Sequence, residues 1–238
     1  MANVIAAPGE VFDEVRTSPP SAANWLAPTL TLLLVSWIGA WAIFSQDSIK
    51  AQLKDITAKA LEKQVEKGKI SQQQAEKAQP TAEKMAVTFG IVGAVTIPLF
   101  VAFGTAFVGG LVVWLAGNKA LNGSFSYMKG VEVAGLACTI GILGEALRIL
   151  LVLVLGNIYA APSLALLVRD VDPQSPTFMI LSLFNLMLFW ELGVRSLGLA
   201  RLTGASFGKA AIWVFGIWAA ISGLFVGFGL GMRAAFGG

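Results

Sequence analysis

The chain has 238 residues, of which 56% are hydrophobic and 13% charged, and its mean hydropathy is +0.73. Because soluble domains carry about 25% charged residues, this composition indicates an integral membrane protein and excludes an ordinary soluble domain. The formal net charge of +3 is small, so no nucleic-acid partner is expected.

Residues 1–24 are predicted to form a surface helix at the membrane interface. Val11, Phe12 and Val15 share one face of a short helix, and charged residues surround the rest of it. The alternative is that this helix docks a partner. The first span is predicted at residues 25–44, where about 20 uncharged residues match the thickness of a bilayer core.

Residues 45–84 are predicted to form a helical hairpin outside the bilayer. Charged residues are concentrated here, and apolar residues recur every three to four positions, as in an amphipathic helix. Gly68 interrupts the pattern, and Ser71 with Gln74 resembles a capping box that opens a second helix. Pro80 is expected to close that helix, so that the second span begins separately. The charged residues either form a solvated face or bind a partner protein.

Residues 85–238 are predicted to form a four-span membrane bundle. The second span lies within residues 85–118, which is longer than a bilayer core requires. It is expected either to tilt and protrude or to bend at Pro98, since an interior proline removes one backbone hydrogen bond. The segment 156–168 is expected to be interfacial or re-entrant. The remaining spans are placed at 129–155, 177–199 and 210–232.

Two stripes of small residues predict close helix packing, because small residues let helix backbones approach one another. For the stripe in the fifth span, packing inside the bundle and self-association with a second copy are both open. A homo-oligomer is therefore one expected assembly. The stripe in the second span comprises Ala102, Ala106 and Gly110, and the one in the fifth span comprises Ala219, Gly223, Gly227 and Gly231.

Two acid–base pairs lie inside the predicted spans. Glu145 and Arg148 are three residues apart in the third span, and Glu191 and Arg195 are four apart in the fourth. An isolated charge at mid-bilayer costs about 2.5–3.5 kcal/mol, and these spacings let each pair meet on one helix face. Pairing within each helix is therefore favoured over pairing between helices. The pairs either orient the helices, or line a substrate or ion path, or contact a partner's helix.

No catalytic group, cofactor or metal site is expected. The stretch GASFG at 204–208 matches the G-x-S-x-G pattern, but the chain has no histidine to serve as the base. The single cysteine, Cys138, allows neither an intramolecular disulfide nor a zinc site built from cysteine and histidine. Motifs that bind nucleotide phosphates or dinucleotides are also absent.

The lysines give two opposing signals about orientation. Loops 117–130 and 202–209 carry lysines and no acid, which places the N-terminus in the cytoplasm by the positive-inside rule. The eight lysines of residues 47–84 favour the reverse orientation. We expect a cytoplasmic N-terminus.

The order of these parts resembles the Yip-domain family of five-span Ypt-interacting membrane proteins, its bacterial branch in particular. The matching stretches are PGEVFDEVRTSPP at 8–20, NKALNGSFSYMKGVEVAGLA at 118–137 and FWELGVRSLGLARLTGASFGKAAI at 189–212. The resemblance implies a non-enzymatic protein with a cytosolic N-terminus, and some bacterial relatives work beside ABC-type export systems. The DLYGP-type motif of eukaryotic members is absent, so binding of small GTPases is not implied.

The sequence therefore predicts an all-α bacterial inner-membrane protein with five transmembrane helices. Its expected function is that of a scaffold or accessory subunit that contacts the lipid bilayer and other integral membrane proteins. The alternative is a small transporter or channel that uses the Glu/Arg pairs.

Overall fold

The computed structural model of the chain describes residues 2–168, 172–173 and 175–236. Within them, the regular structure is helical apart from one isolated antiparallel bridge. The last turn of α5 is followed by a π-helical segment, Ala116–Ala120, and a 3-10 helix spans Leu164–Leu167. The α-helices are α1 (Ala2–Ala6), α2 (Pro8–Thr17), α3 (Ala23–Phe44), α4 (Asp47–Glu66), α5 (Gln72–Leu115), α6 (Tyr127–Leu155), α7 (Pro176–Leu183), α8 (Leu186–Thr203) and α9 (Phe207–Phe236).

Four of the described helices are long and apolar enough to cross a membrane, namely α3, α5 with its π-helical extension, α6 and α9. The all-α class expected from the sequence is therefore confirmed. The remaining expected crossing corresponds to α8, which is 18 residues long but carries three charged residues, Glu191, Arg195 and Arg201. Five crossings thus stay a prediction.

The second helix of the expected hairpin and the second span are one continuous helix, α5, of 44 residues. The expectation that Pro80 ends a helix was wrong. Proline removes only the hydrogen bond to the carbonyl four residues earlier, at Glu76, and this residue is exposed, so that water can replace the lost donor. The helix also runs through Pro98 without interruption, and a kink there stays a prediction.

The start of α5 has the local structure that the sequence indicates. Ser71 Oγ accepts a hydrogen bond from Gln74 N at 3.2 Å, and Gln74 Oε1 accepts one from Ser71 N at 2.8 Å. This capping box satisfies the first donors of the helix. Gly68, with a φ of +67°, makes the turn that returns the chain from α4 along α5. The position of this segment relative to a bilayer stays a prediction.

The predicted fourth span, 177–199, is not one helix. It divides into α7 and α8 at Phe184 and Asn185, so the expectation of a continuous helix was wrong. Asn185 stops helix propagation because its Oδ1 accepts hydrogen bonds from Met187 N and Leu188 N, at 2.9 and 3.2 Å. An asparagine in this role is a strong N-cap, which starts α8 anew.

The backbone at this break pairs with the segment expected to be interfacial or re-entrant. Leu164 N donates to Phe184 O at 3.1 Å, and Leu186 N donates to Pro162 O at 3.0 Å. These two bonds form an antiparallel bridge between the stretch after α6 and the start of α8. Backbone groups that neither helix can satisfy are thereby paired.

At the centre of the bundle, α6 packs against α3, α5 and α8. Ala102 and Ala106 are fully buried on α5. A Cβ on Gly110 would lie 2.7 Å from Val131 Cα, and a Cβ on Gly130 would lie 2.5 Å from Gly110 O. The small residues of the second span therefore lie where two helix backbones touch.

The stripe on α9 lies elsewhere. A Cβ placed on Gly223, Gly227 or Gly231 would meet nothing within 4 Å, and Ala219 is exposed. The three glycines of this stripe thus have open space beside them among the described residues, and packing inside the bundle stays a prediction. Its packing against a second molecule stays a prediction.

Candidate functional site: ion pairs within the bundle and the cavities beside them

The more deeply buried of the two expected pairs is on α8. Arg195 Nη2 donates a hydrogen bond to Glu191 Oε1, and the side chains are 15% and 10% exposed. A Cβ on Gly109 of α5 would lie 2.8 Å from Arg195 Nη1, and one on Gly141 of α6 would lie 3.0 Å from Glu191 Oε2. Two glycines on neighbouring helices thus make the room in which this pair sits.

The pair on α6 is more open and has the fork geometry of a strong ion pair. Arg148 Nε donates to Glu145 Oε2 at 2.8 Å, and Arg148 Nη2 donates to Glu145 Oε1 at 2.7 Å. Two parallel charge-assisted bonds fix the orientation of both planes. Each acid is therefore neutralised by a base of its own helix, as the sequence spacing allows.

Three cavities lie against these pairs. An α3-side cavity of about 330 Å³ lies between α3, α5 and α6 and includes Glu145 and Arg148. An inner cavity of about 360 Å³ includes the same two residues together with Glu191 and Cys138. A lateral groove of about 630 Å³ runs between α5, α8 and α9 and includes Glu191 and Arg195. Apart from the paired charges, most residues that line these spaces are apolar or small.

A third charged pair, not anticipated from the sequence, is the most buried in the described part of the chain. Lys129 Nζ lies 2.8 Å from Glu132 Oε2, and the Glu132 side chain is fully buried. Glu132 Oε1 accepts hydrogen bonds from Ser21 N at 2.9 Å and Asn24 Nδ2 at 2.7 Å. Lys129 Nζ also donates to Val15 O at 2.6 Å. The pair thus fastens the end of α2 and the start of α3 to α6.

The N-terminal helices are packed onto the bundle around this pair. Phe12 is fully buried on α2, and a Cβ on Gly198 of α8 would lie 3.1 Å from its ring. At the surface, Arg201 Nη1 lies 3.3 Å from Asp13 Oδ2. The face of α2 that the sequence assigns to a membrane surface is therefore turned toward α6 and α8.

Lys129 and Glu132 do carry a signal in the sequence, since they are three residues apart, the same spacing as Glu145 and Arg148. Their position at the predicted start of a span makes them resemble ordinary interfacial charges, so the sequence alone did not single them out.

Pro98, where the sequence predicts a kink in the second span, lines both the inner and the α3-side cavity.

A family model described as the Yip1 domain matches residues 2–228 of the chain. The match includes all three buried pairs and most of α9. Neither a curated protein nor a solved structure matches the chain.

Proposed function

The chain belongs to the Yip1 domain family, and from that premise we propose that it is a non-enzymatic scaffold or accessory subunit that holds other integral membrane proteins. The family is one of non-enzymatic membrane proteins. The observation that carries the proposal is the closure of the ion pairs. Each carboxylate of the bundle pairs is engaged by an arginine of its own helix, so neither is left free to bind a solute.

The outer face of α9 is the surface that we assign to partner binding. Four small residues at spacing four, Ala219, Gly223, Gly227 and Gly231, lie exposed on it, and a Cβ on any of the three glycines would meet nothing within 4 Å among the described residues. Such a face allows close approach of a second helix. The partner is another integral membrane protein, for which an ABC-type exporter is one candidate, or a second copy of this chain.

Photo-crosslinking in cells tests this surface. A benzophenone amino acid at Gly227 is expected to give discrete cross-linked protein bands, because a partner helix lies within reach of that face. The matched control is Leu150 on α6, which is exposed and apolar but lies outside the stripe. If both positions give only lipid adducts, or both give the same protein bands, the assignment of partner binding to α9 is overturned.

We further propose that α8 crosses the bilayer as the fifth span, that the membrane is a bacterial inner membrane, and that the N-terminus is cytoplasmic. The acid-free loops 117–130 and 202–209 support this orientation. A cysteine at Ser124 should then be labelled from the cytoplasm and one at Gln73 from outside, in a background where Cys138 is replaced. The reverse labelling pattern would contradict the orientation.

The second candidate function is a small transporter or channel. One observation favours it: the inner cavity touches both pairs, since Glu145, Arg148 and Glu191 all line it. Ionisable residues within membrane helices commonly mark substrate or ion paths. A path of this kind requires water in the inner cavity, and Cys138 reports on water there.

A further inference from the structure

We propose that the three cavities along α5 form one binding site for the hydrocarbon chain of a membrane lipid. This inference depends on the shape and lining of the cavities and does not depend on the scaffold function. A lipid held in this way would be a bound component of the protein, distinct from the lipids that surround its outer surface.

The three cavities adjoin one another. The α3-side cavity and the inner cavity share Pro98 and Arg148 as lining residues. The inner cavity and the lateral groove share Val101, Thr105 and Glu191. A path therefore follows α5 for several turns and reaches from its contact with α3 to its contact with α9.

The α3 end of the path is too narrow for a helix. A helix with its side chains is about 10–12 Å across. At the inner cavity, α3 and α5 are in direct contact, since Trp37 Nε1 donates to Val95 O at 3.0 Å. On the same pair of helices, Leu32 and Leu33 belong to one buried cluster with Ala102. A flexible single chain therefore fits the inner cavity, whereas a partner helix does not.

The charges that line the path are balanced. The four charged side chains along the path form two closed pairs, so the lining carries no net charge. An ionic solute would find no unmatched charge to bind there. An uncharged hydrocarbon chain instead contacts the apolar walls, whose buried members include Leu32, Val113 and Leu192. The occupant we assign is therefore a lipid acyl or isoprenoid chain.

Two glycines allow the path to be filled without disturbing the fold. A Cβ on Gly104, in the lateral groove, would meet nothing within 4 Å, and one on Gly93, in the α3-side cavity, would meet only Ile97 at 3.4 Å. Leucine at either position is expected to occupy space that the lipid chain uses. Gly216→Leu is the matched control, because Gly216 is an exposed glycine of α9 that also meets nothing within 4 Å and lies outside the cavities.

The test measures the lipid that remains with each protein after purification and detergent washing, by quantitative mass spectrometry. The parent and Gly216→Leu should retain the same lipid in a fixed ratio to protein, and Gly93→Leu and Gly104→Leu should each lose most of it. Equal retention by all four proteins overturns the proposal, as does loss from Gly216→Leu as large as that from the cavity variants. Melting of the purified variants shows that the fold is kept.

A second measurement uses the unaltered protein. Vesicles containing a phospholipid with a photoactivatable acyl chain should label buried α5 and α8 residues that line the path, such as Val113 and Leu192. Labelling confined to outward-facing residues would indicate surrounding lipid only and would overturn the proposal. Cross-linking of the lateral groove to another protein would likewise overturn it, since that result would identify a protein occupant.

Discussion

Replacing Arg195 by leucine is expected to destabilise the protein by about 3–5 kcal/mol, because it leaves the buried Glu191 carboxylate without its counter-charge. The Arg195 guanidinium, which balances this charge, lies against Gly109. A leucine side chain is shorter and would leave part of that space empty. Replacing Glu191 and Arg195 together by leucine is expected to be far less harmful, since no unpaired charge remains and buried pairs can often be exchanged for apolar residues.

The measurement is thermal melting of the purified single and double variants in one detergent. The pair on α6 provides a graded comparison: Arg148 is 35% exposed, so Arg148→Leu should cost less than Arg195→Leu. If the single and double variants of Glu191 and Arg195 melt alike, the two residues do not stabilise the fold as a pair. If the double variant folds normally but the protein no longer functions, the pair serves a partner or a transported species.

Replacing Glu132 by leucine is expected to cost a similar amount, about 3–5 kcal/mol, since Lys129 would be left buried and unpaired. The substitution also removes the acceptor for Ser21 N and Asn24 Nδ2. Because these bonds join the N-terminal segment to α6, we expect hydrogen exchange in residues 2–24 to rise more than exchange in α9. Global stability and local protection should therefore change together.

The matched control is Asp13→Asn. It weakens the pair between Asp13 and Arg201, which also joins α2 to the bundle but is almost half exposed. Exposed pairs contribute about 0–1 kcal/mol, so this variant should leave exchange in the N-terminal helices nearly unchanged. The outcome that contradicts this account is faster exchange of residues 2–24 in the control than in Glu132→Leu.

The features of the fold that depend on neighbours in the sequence are the ones that sequence reasoning predicts well. The capping box of Ser71 and Gln74 and the extent of α6 follow from local spacing, and the expected third span at 129–155 agrees with Tyr127–Leu155. Pairing of Glu191 with Arg195 is local in the same sense, since residues four apart share a helix face.

The features that depend on tertiary contacts were harder to predict. Pro80 reads as a helix end, but its effect depends on whether the freed carbonyl can reach water. In the sequence, Asn185 is one polar residue in an apolar run. In the structure it caps α8, and the backbone beside it pairs with the segment near Pro162. A polar group that caps or breaks a helix is therefore ambiguous when only one sequence is read.

The glycine stripes show a further limit. Gly110 and Gly227 lie in similar patterns of small residues, yet a Cβ on Gly110 would meet the backbone of α6, and one on Gly227 would meet nothing within 4 Å among the described residues. A stripe identifies a flat helix face, but it does not identify what packs on that face. The direction in which α9 faces is decided by its contacts with α7 and α8.

We propose that the ion pairs stabilise the fold and that the space beside them is not a water-filled path. Cys138, the single cysteine, is buried and lines the inner cavity with Glu145 and Glu191. Its thiol can therefore be used to detect water in that cavity in the unaltered protein. Thiols react with charged methanethiosulfonates as thiolates and need water to do so. The control is Ser124→Cys, exposed in a loop, in a Cys138→Ala background.

In sealed membranes treated with a charged methanethiosulfonate from either side, we expect no modification of Cys138 in the folded protein and full modification after denaturation. The Ser124→Cys control should react readily from one side. Rapid modification of Cys138 in the folded protein would show that water reaches the pairs. That result would contradict a purely structural role for them and favour the transporter.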